Sequence, residues 1–147
     1  MPDRPAVASE PASTSRLPPL MRDRPTALIV VLAGVVPVAF GVLAGFALDW
    51  SGAVYLVLLG LAALGGIGAG LDHDTVGRGA RRGLLGGALF TAGILATNGA
   101  IDAAHADLLP HPHGLLFVIN CFFGVVFGAL GARLRMRATS FRPPAPG

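Results

Sequence analysis

Four long apolar stretches, separated by short polar connections, organise the chain: 27–48, 52–71, 83–101 and 114–132. A helix needs about 20 apolar residues to cross a hydrocarbon core about 30 Å thick, and each stretch has roughly that length. The pattern predicts an all-α, polytopic membrane protein with four transmembrane helices. The connection Asp49-Trp50-Ser51 is so short that the first two helices must form a tight antiparallel hairpin. Trp50 within it suits the headgroup boundary, where a ring with one polar edge is favoured.

The polar segments fix a direction. All 11 basic residues are arginines, and they fall on one side of the predicted membrane. Arg4, Arg16, Arg22 and Arg24 precede the first span; Arg78, Arg81 and Arg82 lie between the second and third; Arg133, Arg135, Arg137 and Arg142 follow the fourth. Positive charge beside span ends is retained in the cytoplasm. Both termini are therefore expected in the cytoplasm.

Three regions follow. Residues 1–26 form a Pro-rich N-terminal tail, expected to be disordered. Residues 27–132 form the four-helix transmembrane domain. Residues 133–147 form a basic, Pro-containing C-terminal tail, with Arg133, Arg135 and Arg137 expected at anionic lipid headgroups of the cytoplasmic leaflet. The first span follows a long polar tail and exceeds a secretory h-region in length, so it is expected to remain as a true helix.

Composition narrows the class. The chain is 53% hydrophobic, with a mean hydropathy of +0.67. Arginine without lysine, with abundant Gly, Ala and Pro, points to a GC-rich bacterial genome and hence to a bacterial plasma (inner) membrane. The net charge of +3 does not signal nucleic acid, because the arginines sit at helix ends and no nucleic-acid module with interleaved aromatics is present. Cys121 is the only cysteine, so no intrachain disulfide can form.

Glycine is the main feature inside the spans, which hold 18 of the chain's 21. Many recur at helical spacing, among them Gly41 and Gly45, Gly83 and Gly87, and Gly124 and Gly128. In lipid, small residues let helix backbones approach closely, so these six are candidate packing positions. They serve contacts within the chain or, for the stripe Gly124/Gly128/Ala132, contacts with a second subunit. Pro37, at the middle of the first span, removes the hydrogen bond to the Ala33 carbonyl and makes a candidate hinge or static kink.

Polar groups in the spans are few. No Asp, Glu, Arg or His lies deep within them, although coupled transporters generally need an ionisable group in the membrane. Asn98 and Asn120 are the intramembrane amides, expected at depths where they could bridge. The outer connection gathers Asp102, His105, His111 and His113, a candidate site for Zn or Cu(II). In the inner connection, Asp72 and Asp74 are expected to cap the third helix or pair with its arginines, and His73 between them is a candidate pH-responsive group. Neither a nucleophile with a nearby base nor a phosphate-binding glycine loop appears.

The expected function is that of a non-enzymatic interaction or accessory subunit without cofactor, its partners being the bilayer and either a second copy or another membrane protein. An oligomeric small pore or carrier is the alternative, and outer-face metal binding is a third reading.

Overall fold

The chain forms helices and short turns throughout residues 19–101 and 104–140, the part that this computed structural model describes. The two expected tails lie largely outside that part. Four helices are long and apolar enough to cross a membrane: α1, Thr26–Trp50; α2, Gly52–Gly70; α3, Val76–Ile101; and α4, His113–Ser140.

Two helices exceed the apolar stretches that announce them. The third begins seven residues before Gly83 and the fourth continues eight residues past Ala132. The cause is that hydropathy marks the apolar layer, whereas arginine is a good helix former that carries a helix beyond it. Residues 133–140, expected as part of a tail, are thus helical. At the start of α3, the Thr75 hydroxyl accepts a hydrogen bond from the Arg78 backbone N–H at 3.4 Å. Thr75, rather than either aspartate, fills the N-cap role there.

The third helix is central and uses two faces. Toward α4 it presents Gly79, Gly83 and Gly87. A Cβ added to Gly83 would lie within 3.0 Å of the Gly124 carbonyl oxygen, and one added to Gly124 would meet the Gly83 carbonyl equally closely. Gly79 and Gly128 form the same reciprocal contact, and Gly87 meets the Asn120 backbone. Toward α1, Gly93 lies against the Val38 carbonyl, while Gly41 and Gly45 of α1 lie against the Phe90 carbonyl and the Thr97 side chain. Only a residue without a side chain permits such approach.

The second helix is held at its two ends. Near its start, Tyr55 is buried with Ala44, Ala47 and Leu48 of α1. Near its finish, Gly70 meets the backbone of Gly128 and Gly131, and a Cβ on Gly66 would stand 3.4 Å from Phe127 Cβ. Along its middle, Leu58, Leu59 and Ala62 pack partly buried against the core, while Val57, Leu61 and Leu64 are exposed.

The connection from α3 to α4 folds back over the end opposite the arginines. His105 donates to the Leu48 carbonyl through its backbone N–H at 3.0 Å and through Nδ1 at 2.8 Å. Leu109 is almost wholly buried in the core cluster with Phe90, Ile94 and Leu116. This closes the arginine-free end of the helices.

Candidate functional site: an apolar cavity with a basic mouth

A cavity of about 600 Å³ opens between the middle of α2 and the other three helices. Phe40, Phe90, Phe123 and Phe127 are among the side chains of its apolar wall, and Asn120 contributes an amide. Arg24, Asp72 and Arg82 line it at the basic end. Arg82 and Phe90 are eight residues apart on α3, so the polar and aromatic parts are separated by about 12 Å at 1.5 Å per residue.

Pro37 explains the position of Arg82. Residues Val31–Val35 form a π turn, in which the Val36 N–H donates to the Val31 carbonyl five residues back. In that register the next carbonyl, that of Leu32, would be paired with the nitrogen of residue 37. Proline has no N–H to give. Arg82 supplies the missing donor from α3, with Nη2 2.5 Å from the Leu32 oxygen. The carbonyl that Arg82 reaches is therefore the one that the π register sets opposite residue 37. A buried carbonyl left without a donor would cost about 1–3 kcal/mol. The helix itself continues through Pro37 to Trp50.

A short strap covers the basic mouth. Met21–Asp23 form a single 3-10 turn, and the Met21 N–H donates to the Asp72 carbonyl at 2.9 Å. Arg24 Nη2 donates to Asp72 Oδ1 at 3.0 Å, with the two side chains 18% and 13% exposed. Arg24 Nε is buried and makes no hydrogen bond. Asp74 pairs with Arg22 at 3.3 Å and with Arg78 at 2.9 Å. Desolvation opposes ionisation of Asp74, but the hydrogen bond and charge of Arg78, with the charge of Arg22, hold its carboxyl below the ordinary carboxylate value. His73 Nδ1 lies 3.1 Å from the Ala69 carbonyl. A second, more polar cavity of about 500 Å³ adjoins the first, sharing Met21, Asp72 and Arg82 and adding Arg78 and Arg81.

The two asparagines do not pair. Asn120 Nδ2 donates to the Thr91 hydroxyl at 2.9 Å, and that hydroxyl donates to the Gly87 carbonyl at 2.9 Å. Asn98 lies seven residues beyond Thr91 on α3, about 10 Å further along the axis, and its Oδ1 is buried without a partner. Similar depth in separate spans does not bring them together, because α4 lies against α3 with Asn120 at the level of Gly87 and Thr91.

Asp102 and the His113 side chain lie outside the described residues. His111 is exposed. His105 Nδ1 faces a carbonyl, which can only accept, so Nδ1 carries the proton and Nε2 stays open. Among the described residues, no three His, Cys, Asp or Glu side chains are placed to hold a metal ion. Arg133 and Arg137 are exposed on α4, whereas Arg135 donates to the Leu71 carbonyl at 2.6 Å beyond the end of α2. The stripe Gly124, Gly128 and Ala132 faces α3 and the end of α2 in the same chain, and Ala132 is fully buried.

Sequence reasoning missed Arg82, Thr91 and the cavity aromatics as a set. One signal was available: a proline inside an apolar span needs a donor for the carbonyl it orphans, and Arg82 stands at the edge of the third span. Comparison of the chain with protein-family models, with curated proteins and with solved structures finds no match.

Proposed function

We propose that this chain is a non-enzymatic integral protein of a bacterial plasma membrane, with its basic end and both termini in the cytoplasm. It acts as an interaction or accessory subunit, and the part that engages another molecule is the α2 flank, where the cavity between α2 and the other helices lies. The observation that carries this reading is the cavity itself: its walls are mainly aliphatic, aromatic and glycine positions, suited to holding an apolar body rather than to acid–base chemistry. The glycines that would serve an oligomer seam at Gly124 and Gly128 are occupied within the chain, so a partner, whether a second copy or another protein, is expected at the α2 flank.

A photo-crosslinking side chain at Leu61, which is half exposed and lines the cavity, tests this. An adduct with a lipid or membrane protein is expected from Leu61. Equal labelling from Val118, which is exposed and not among the cavity lining, would remove the special status of the flank.

A pore or carrier is a second reading, supported by the π turn before Pro37 and by the Asn120 amide on the cavity wall. Flux from liposomes with a panel of ions separates the two: conduction would favour the carrier, and silence the accessory role. Metal binding at the far end is tested by zinc titration of the purified chain.

A further inference from the structure

We infer that the cavity holds one anionic phospholipid of the surrounding bilayer, with its phosphate at Arg24 and Arg82 and an acyl chain along Phe40, Phe90 and Phe123. The inference deepens the proposed reading of the α2 flank and rests on it.

Three independent features support this occupant. The first is size: about 600 Å³ lies within the range of about 300–1,000 Å³ typical of small-molecule pockets, room for the phosphate and one acyl chain while the second chain stays in the bilayer. The second is polarity along its length. The aromatic part is apolar and the opposite end carries guanidinium groups, the distribution of an amphiphile with an anionic head. Around the mouth, Arg22, Arg24, Arg78, Arg81 and Arg82 face Asp23, Asp72 and Asp74, five positive groups against three negative ones. A head with net negative charge gains more from that surplus than a zwitterionic one, whose own cation is repelled by it.

The third feature is unsatisfied donor capacity. Arg24 lines the cavity and reaches the Asp72 carboxylate and the Pro19 carbonyl through Nη2 alone. A phosphate oxygen is an acceptor suited to a guanidinium. Arg82 spends one donor on the Leu32 carbonyl, while its guanidinium has five. Both arginines line the same cavity.

Gly86 offers a way to block the site without disturbing the helix seams. It lines the cavity, and a Cβ there would meet only the flexible Arg82 Nη1, at 3.1 Å. Gly86→Leu therefore fills the cavity, and Arg82→Gln removes one charge from its mouth.

The full chain, delipidated in detergent, is titrated with phosphatidylglycerol, phosphatidylcholine, palmitate and inorganic phosphate, with bound species counted by native mass spectrometry. The expected result is one retained phosphatidylglycerol, with much weaker phosphatidylcholine. Arg82→Gln should weaken it about fivefold, the weight of one basic residue beside anionic lipid, and Gly86→Leu should abolish it while Arg133→Gln leaves it unchanged. Should Arg82→Gln fail to fold, Gly86→Leu decides alone. Equal retention of phosphatidylcholine, preference for palmitate or free phosphate, or undiminished phosphatidylglycerol in Gly86→Leu would each overturn the assignment. Crosslinking from Leu61 reports on the flank separately, so an adduct there without selective lipid retention would leave the proposed function standing and remove only the lipid.

Discussion

Alanine at Gly83 should loosen the protein, and alanine at Gly60 should not. At Gly83 the new methyl would sit within 3.0 Å of the Gly124 carbonyl, where ordinary contact begins at 3.4 Å. The obstacle is helix backbone and cannot swing aside like the end of a side chain. The two helices must part, and a gap of about 0.5–1 Å already forfeits a quarter to a half of each dispersion contact along the seam. Overpacking of this kind costs about 1–3 kcal/mol. Helix propensity opposes it, since alanine exceeds glycine by about 0.8–1 kcal/mol in a helix interior. The net loss for Gly83→Ala therefore lies between about 0 and 2 kcal/mol, against a gain of about 0.8–1 kcal/mol where the added methyl meets nothing. Gly60 has nothing within 4 Å of its added Cβ, so Gly60→Ala keeps only the favourable propensity. Unfolding of the full chain in mixed detergent micelles, followed by circular dichroism, measures both. Shifts of the same sign and size would refute the claim that α3 and α4 touch through backbone at Gly83.

Three further outcomes follow from the polar contacts. Arg82→Gln should cost about 1–3 kcal/mol by stranding the Leu32 carbonyl, and much less in a Pro37→Ala background, where residue 37 regains its N–H; equal costs in both backgrounds would mean that Arg82 does not serve the proline. A double-mutant cycle on Asn120 and Thr91 should give coupling of about 0.6 kcal/mol, the usual size for a hydrogen bond in a membrane, whereas Asn120 and Asn98 should give none. Asp74 is depressed in the folded state, so its contribution is present above the ordinary value of 3.8 and is lost as pH falls through the lower folded value. Melting of Asp74→Asn should accordingly vary less than the parent as pH falls below 3.8, and identical profiles would dismiss the Arg78 and Arg22 pairing.

The helices were legible because hydropathy measures what a span needs. Their ends were not, because Arg78, Arg81, Arg82 and Arg133 continue helices outside the apolar stretches. Glycine spacing pointed to close packing but not to which face meets which neighbour. All three of Gly83, Gly86 and Gly87 line the cavity, but only Gly83 and Gly87 meet the backbone of α4. The Asn120–Thr91 contact depends on how far α4 slides along α3, a register that the connection between them leaves open. The Arg82–Leu32 contact required knowing that a π turn precedes Pro37, and no single residue announces one.

The central claim is that these four helices cross a membrane with the arginine-rich end in the cytoplasm. Cysteine accessibility tests it most directly, in a Cys121→Ala background that removes the native thiol. Single cysteines at Ser51 and Ala104, at the arginine-free end, and at Thr75, at the basic end, are treated in intact cells with a membrane-impermeant maleimide. Ser51→Cys and Ala104→Cys should react from outside, and Thr75→Cys should react only after the cells are opened. Labelling of Thr75→Cys in sealed cells, with Ser51→Cys and Ala104→Cys protected, would contradict the orientation, and labelling of all three would contradict the membrane crossing itself.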